Sequence, residues 1–583
     1  MQTALNAKKI PIFYTRRTYF IHIAAASFTL CIIFALFIAK YSMKLFYLKP
    51  SLIFLAILLS CLCPASAQTD SYMNYFVQMG AVATDGSNAP YWLTANRQGM
   101  VSTEKSSQYG RYGLEYGGRF KNDKMGYKIV GDIMTAHNNN ADFFVQQLYG
   151  EVSWRWLTLG IGSKERFSET RVHHTEFSGT DIMKNRVNSL FPTLGYNRLT
   201  MLSSGGMTYS GNSRPIPQAR LEIPEYTPFP WTKGWLKIRG HIAYGRFTDD
   251  NFQERFTRGN DITVYGKNIL YHSKAGFVEI GKAEKFPLLF EGGLEMYSLF
   301  GGDLYTHGDG LIVSMPATLS DYWKAFIPLS GSDDTPEVEQ TNISGNMVGS
   351  WHAAFTIPTK SMDIRIYGEH LFEDFSQLFF FEYQSDRHGK RNIIYYPWKD
   401  MLYGIRITNK SGTLPFISAV QYEYLTTKDQ SGALYNDPDD YFSEQMDGVD
   451  NYYNHGFYPG WHHWGMGMGN PLVISPSYNS NSSLKFRSNR LIAHNAGING
   501  TLESLRLPIA YRLQYTYSEN WGTYTNPLEE KKYSTSLLGE FTYAPKGSSW
   551  LGSISVAYDR SSLIGNNLGA MFTISKVGEI FRK

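Results

Sequence analysis

Cysteine is confined to the first 67 residues, where Cys31, Cys61 and Cys63 are the only three in the chain. A chain beginning at Gln68 therefore has no thiol, no disulfide, no Cys-based metal site and no Cys nucleophile. Asp and Glu are absent from that same stretch, which holds seven of the 55 Lys and Arg. The formal net charge of +4 is thus misleading, because without the stretch 48 basic residues face all 51 acidic ones. Only 18% of residues are charged, which leaves no basic surface of the kind that nucleic-acid binding needs. Long apolar runs are missing after Gln68, where none approaches the ~18 residues of a membrane helix. No repeat recurs at the ~40–50-residue period of a propeller. A phosphate-binding glycine loop and a serine nucleophile elbow are also lacking. Aromatic side chains, by contrast, make up 15% of the chain, with 41 Tyr and 36 Phe beside 53 Gly. That density argues against disorder.

The N-terminus carries an export layout. Met43-Lys44 opens a short basic region ending at Lys49, the apolar run Leu52 to Leu62 follows, and Ala65-Ser66-Ala67 precedes Gln68. Basic, apolar, small-x-small is the order of a secretory signal peptide, with cleavage expected after Ala67. A lipoprotein site at Cys61 fits only loosely, given Leu59-Ser60 before it. A second apolar stretch, roughly Tyr19 to Ala39 behind Arg16-Arg17, is long enough for an inner-membrane helix. Two export signals in tandem make little physical sense. Residues 1–42 therefore read as an over-called extension, 43–67 as the signal peptide and 68–583 as one outer-membrane domain.

Beyond Gln68 the apolar period is two. In 111–120, Tyr112, Leu114, Tyr116 and Phe120 alternate with Arg111, Gly113, Glu115, Gly117 and Arg119. In 509–518, Ile509, Leu513, Tyr515 and Tyr517 alternate with Arg512, Gln514, Thr516 and Ser518. The run 236–245 does the same, and 125–134, 363–372, 401–408, 537–543 and 552–559 do so more weakly. Each such strand has one apolar and one polar face. A soluble β-sandwich would show this pattern, and so would a membrane barrel with its apolar face toward lipid. The apolar positions are rich in Tyr, Phe and Trp, as interfacial girdles require, and the polar face carries long charges with glycines. The terminal Asn567-x-Gly569-x-x-Phe572-x-Ile574 suits recognition by barrel-assembly machinery. The expectation is an all-β fold, a single large transmembrane antiparallel β-barrel in a Gram-negative outer membrane, surrounded by outer-membrane lipids and lipopolysaccharide. At roughly 25–30 residues per strand and loop, the chain allows about 17–20 strands. The longest loops fall near 163–200, 301–345 and 427–472.

Candidate chemistry is sparse. Of the carboxylates Glu369, Glu373 and Asp374, Glu369 lies on the alternating run 363–372, so it is expected inside the barrel meeting an inward Arg or Lys rather than in a catalytic pair. His173-His174-Thr175-Glu176 has no helix to present it as a metal motif, and adjacent His462 and His463 on a strand point to opposite sides. The acidic stretch Asp437, Asp439, Asp440, Glu444, Asp447 and Asp450 lacks the turn glycine of a calcium loop. No catalytic residue, no metal site and no cofactor is expected, and an enzyme is disfavoured. One loop stands out for its aromatic density around Tyr452 to Trp464, with interleaved glycines. Tyr458, Trp461, His462 and Trp464 are its candidate saccharide-stacking residues, the alternative being an interfacial belt.

Several segments resemble the Bacteroidetes branch of the Wzi-type capsule-assembly outer-membrane proteins. Ala89-Pro-Tyr-Trp-Leu-Thr-Ala-Asn96 with Gly99, Ser210 to Gln218, Trp235-Leu236, Gly240 to Gly245, Tyr271-His272 with Lys274, Gly368 to Asp374, Asn454 to Trp461, Gly469 to Leu472 and Gly522 to Tyr524 follow that family's order. The resemblance spans about residues 75–525. It implies a barrel of about eighteen strands and a lectin-like role in holding capsular polysaccharide at the cell surface. An N-terminal plug helix, found in proteobacterial relatives, is not expected, because the strand pattern starts by Tyr72. The competing function is a porin-like diffusion channel, which needs an open lumen where an anchor has one filled by side chains and inward loops. N-terminal sequencing of the protein from outer membranes is expected to begin at Gln68; a chain retaining residues 19–39 would show that this segment is not removed.

Overall fold

The computed structural model describes residues 68–583 except 121–123, 169–200, 328–344, 374–380, 386–390, 396–399, 411–413, 436–445 and 546. The targeting segment, His173-His174 and most of the acidic stretch at 437–447 lie outside the described residues. Eighteen antiparallel strands close into a barrel. The first nine are β1 (Gln68–Asn88), β2 (Glu104–Phe120), β3 (Met125–His137), β4 (Phe143–Trp154), β5 (Leu157–Ser163), β6 (Gln218–Pro228), β7 (Leu236–Arg246), β8 (Leu270–Ile280) and β9 (Leu289–Phe300). The remainder are β10 (Asn346–Pro358), β11 (Met362–Glu373), β12 (Met401–Asn409), β13 (Ala419–Thr426), β14 (Arg490–Thr501), β15 (Ile509–Gly522), β16 (Pro527–Tyr543), β17 (Trp550–Ser561) and β18 (Asn567–Arg582). Neighbours in sequence are neighbours in the sheet, and β18 closes on β1 from Tyr72↔Arg582 to Asp85↔Leu568. The terminal motif Asn567 to Ile574 lies in that closing strand.

Every alternating run read from the sequence falls within one of these strands, and the alternation sorts the faces. On β15, Leu513 is 41% exposed and Gln514 only 3%. On β2, Tyr112 and Leu114 are exposed while Arg111 and Glu115 are buried inside. Apolar side chains therefore form the outer band and polar ones the lumen wall, the arrangement of a membrane barrel. Arg119, of the same parity as Arg111, lies exposed at the end of its strand.

Aromatic side chains ring both ends. At the end that carries both termini stand Trp154, Trp156, Trp235, Phe286, Tyr543 and Trp550. At the other end, Tyr422 pairs with His494 through a 2.7 Å hydrogen bond, and Tyr517 stacks with Tyr533 at 6.4 Å. Rings at both heights are what a bilayer's two interfaces select.

The two ends differ in their connections. Beside the termini the turns are short, down to residues 155–156 between β4 and β5 and 359–361 between β10 and β11. At the opposite end run the long connections 164–217, 247–269, 301–345, 374–400 and 427–489. In bacterial barrels the long-loop end faces outward. The expected loops at 301–345 and 427–472 start where the sequence placed them, but the last extends to 489.

The lumen face is less uniformly polar than the alternation suggested. Phe76 lies across Gly113 of its partner strand, Tyr367 across Gly404, and both rings are buried inside. A Cβ at either glycine would collide with the ring, so these glycines are the cavities in the wall that accept flat inward aromatics. The glycines that looked suited to a wet interior thus serve a packed one.

Because the outer face meets hydrocarbon, Leu513→Arg is expected to cost about 2–4 kcal/mol. Arg at Ser553, half-buried on the lumen side near the short-turn mouth, is expected to be tolerated. Denaturant titration in lipid vesicles distinguishes the two; equal costs would contradict the assignment of faces.

Candidate functional site

Three stretches of the long-loop end turn back into the lumen. Residues 89–102 of the β1–β2 connection, 201–216 before β6 and 458–473 before β14 are buried throughout. Chain inside a barrel has no sheet to satisfy its backbone, so each N–H and C=O needs another partner. Carboxylates on the lumen wall supply many of them. Asp559 on β17 accepts from Tyr91 N–H at 2.8 Å, and Glu423 on β13 from Ser204 N–H at 2.7 Å. Glu369 on β11 accepts from Met207 N–H at 2.9 Å, and Glu373 on the same strand from Tyr453 N–H at 2.6 Å. The wall also donates to the plug, through Asn495 and Gln514 to Leu202 O at 2.9 and 3.0 Å and Arg512 to Met201 O at 2.9 Å.

The three stretches then bind one another. Gln98 and Gly99 N–H donate to Gly211 O and Asn212 O at 2.7 and 2.9 Å. Ser210 N–H donates to Met468 O at 2.7 Å, and the Asn470 amide to Gly205 O at 2.7 Å. Four of the nine blocks that carried the family resemblance, 89–99, 210–218, 454–461 and 469–472, contribute to these stretches. Widely separated in sequence, they meet in one plug.

Ion pairs tie the plug to the wall. Arg97 meets Glu540 at 3.1 Å, with Arg512 3.7 Å from the same carboxylate. Four strands farther round the wall, Arg111 on β2 forms a two-pronged pair with Asp132 and reaches Glu165 at 2.8 Å. A bulge in β4 lets consecutive Gln146 and Gln147 both point inward. Gln146 donates to Glu165 at 2.8 Å and to Gln98 O at 3.0 Å, while Gln147 donates to Asp132 at 3.1 Å. Glu369 lies inside as expected, but it meets the Met207 N–H and His352, 3.8 Å away.

Tyr458, Trp461, His462 and Trp464 are brought together by the plug, and their placement corrects the expectation of a recognition surface. All four are buried: Tyr458, Trp461 and His462 at 1% exposure or less, Trp464 at 7%. Tyr458 OH donates to Gly301 O at 3.2 Å, Trp461 Nε1 to Thr208 O at 2.8 Å, and Trp464 Nε1 to Thr248 O at 2.8 Å. The faces of Trp464 are occupied as well, by the Arg214 guanidinium at 4.2 Å and by Phe252, stacked at 6.0 Å. Their polar tips and ring faces hold the plug, which leaves no flat face for a sugar. Tyr453 and Trp464 also sit at φ +67° and +54°, a left-handed conformation that bulky residues rarely adopt. Surrounding bonds, including Tyr453 OH to Met207 O, hold them there.

His462 and His463 point to different partners, as adjacent strand residues should. His463 Nδ1 meets Arg214 O at 2.9 Å and its Nε2 meets Thr248 O at 3.3 Å. Burial pushes His462 down to about 3 and His463 to about 4, so both rings are neutral at physiological pH. Sequence reasoning passed over Arg214 and Lys485, whose surroundings are visible only once the plug is assembled.

Trp461→Ala removes both a buried indole and its bond to Thr208, so it is expected to loosen the plug by about 3–5 kcal/mol. Reconstituted in planar bilayers, the variant should show more ion-conducting openings than the parent protein. Identical conductance traces would mean that the plug does not depend on this ring.

No family model and no curated protein matches this sequence. Among solved structures, Wzi of Escherichia coli, described as an outer-membrane protein involved in group 1 capsule assembly and a carbohydrate-binding β-barrel, aligns with a TM-score of 0.48 and 12% identity over 89% of this chain and 87% of its own. OccK5 of Pseudomonas aeruginosa aligns at 0.43 and 9% identity over 88% and 99%, and OprD of the same organism at 0.40 and 9% over 89% and 98%. No function passes to this chain at such similarity. On its own geometry, with a lipid-facing apolar band, two aromatic rings and a closed eighteen-strand sheet, the chain is an integral outer-membrane β-barrel.

Proposed function

We propose that the protein holds capsular polysaccharide at the cell surface without turning it over, as a member of the Wzi-type group that its motifs resemble. The supporting observation is the plug. Barrels of this strand number can enclose an aqueous channel, and a porin depends on that path staying open. Here three loop segments are buried inside it and bonded to opposite walls, at Glu423 on β13 and at Gln146 on β4, with Glu540 on β16 between them. Four of the nine sequence blocks that carry the resemblance supply plug residues; the other five lie on or beside barrel strands. A barrel whose most distinctive segments occupy the lumen is suited to presenting a rigid outer surface rather than to passing solutes. Lipopolysaccharide surrounds the outer aromatic ring, and the β18 terminal pattern addresses the assembly machinery.

Deleting the gene and staining for capsule is the test. Shedding of polysaccharide into the medium is expected, with retention restored by the full chain and no stepwise conductance from the purified protein. A fully retained capsule, together with large steady conductance, would favour the diffusion-channel reading instead.

A further inference from the structure

Several cations on the barrel's inner wall are matched by carboxylates, Arg111 by Asp132 and Glu165, Arg512 by Glu540 and Arg365 by Glu291 at 2.9 Å, while buried Arg406 on β12 bonds the neutral Gln421 amide oxygen at 2.9 Å. In the outer part of the plug two further cations have neutral partners among the described residues. Arg214 is 3% exposed, and its guanidinium is clamped between Phe144 at 3.4 Å and Trp464 at 4.2 Å. Its partners are neutral, Gly99 O at 3.3 Å and Asn139 Oδ1 at 3.2 Å, and Nη1 has none among the described residues. His463 bonds the Arg214 backbone. His462 beside it is buried and meets no hydrogen-bonding side chain; only the Pro459 backbone stands near its ring. Lys485, half-buried, donates to His455 O and to no carboxylate among the described residues. Burial lowers Arg214 to about 9 and Lys485 to about 8, with no acidic neighbour among the described residues opposing it.

A buried charge without a counterion costs several kcal/mol unless something neutralises it. The aromatic clamp offsets part of that for Arg214, and holds the guanidinium rigid with one edge unbonded. Asn139 belongs to the half-exposed turn 138–142, and its amide oxygen stands where an anion would bind Arg214 better. Asn140 bonds the Trp464 carbonyl at 3.0 Å, so the same turn covers the clamp. Exposed Ser480, Asn481 and Arg487 flank Lys485 in the chain and offer hydroxyl, amide and guanidinium donors to a sugar's oxygens.

Resting on the polysaccharide-binding reading, we infer that the outer end of the plug is a site for acidic sugar units. Arg214 and Lys485 receive the anionic groups, and the Asn139 side chain yields its place on Arg214. The polymer recognised is thus an anionic glycan, bearing carboxylate or phosphate, and not a neutral one.

The test uses the full chain purified in detergent and titrated calorimetrically with three probes: an oligogalacturonate, a neutral dextran oligosaccharide and a phosphorylated lipopolysaccharide core oligosaccharide. Oligogalacturonate is expected to bind, more weakly as salt rises, and dextran is expected not to. Lys485→Gln should weaken binding roughly 10-fold and the double variant with Arg214→Gln about 100-fold. Heat-modifiable gel mobility reports whether each variant remains folded; Lys485→Gln, at a half-buried position, keeps the test valid if Arg214→Gln disturbs the clamp. Equal binding of dextran and oligogalacturonate, or unchanged affinity in a folded Lys485→Gln variant, would overturn the inference. Binding of the core oligosaccharide alone would overturn it too, by assigning the cations to the membrane's own lipopolysaccharide. Either result leaves the capsule-retention reading standing, because deletion and staining judge that separately.

Discussion

Backbone burial inside a wide barrel is the constraint on which the rest of this structure depends. Chain that enters the lumen leaves the sheet's ladder behind and cannot remain unbonded there. The wall answers with carboxylates, each at the height where a plug N–H arrives: Asp559 for Tyr91, Glu423 for Ser204, Glu369 for Met207 and Glu373 for Tyr453. A carboxylate is well suited to this, because a charge-assisted bond is stronger than a neutral one and the second oxygen remains available. Glu423 uses it for the Gln421 amide at 2.9 Å and the Tyr367 hydroxyl. Strand register sets the height of every such group, so a slip by one residue would turn the anchors toward lipid.

The aromatic–glycine pairs solve the complementary steric problem. A lumen filled by chain has little room for rings standing upright from the wall. Phe76 and Tyr367 lie flat because Gly113 and Gly404 present no side chain beneath them. The result is a smooth wall against which the plug packs, with Arg111 5.2 Å above the Phe76 ring. Glycine content, ring orientation and plug packing are therefore one arrangement seen at three scales.

Charge is distributed unevenly along the plug. Where it touches the wall, Arg97 and Glu165 complete ion pairs with β16 and β2. Toward the outer end, Arg214 and Lys485 are left to aromatic faces and carbonyl oxygens. One part of the plug is thus internally neutralised, and in the other the cations meet aromatic faces and carbonyl oxygens among the described residues.

The sequence by itself determined the barrel. The period-two runs in 111–120, 401–408, 509–518 and 552–559 all became strands with the expected faces, because alternation is a local property that lipid on one side and polar contacts on the other enforce equally along the whole strand. It also located the connections at 301–345 and from 427 onward, and the blocks that would matter. Tertiary structure alone decided what those blocks do. Nothing local distinguishes an aromatic loop that faces a sugar from one that folds inward, so Tyr458, Trp461, His462 and Trp464 read as a surface. Their burial depends on Thr208, Thr248 and Gly301, more than 150 residues away in each case. Likewise, Glu369 was legible as inward, but its partner Met207 comes from a segment that no periodicity tied to β11. Long-range backbone satisfaction has no sequence period, and for that reason the plug emerged only with the assembled lumen.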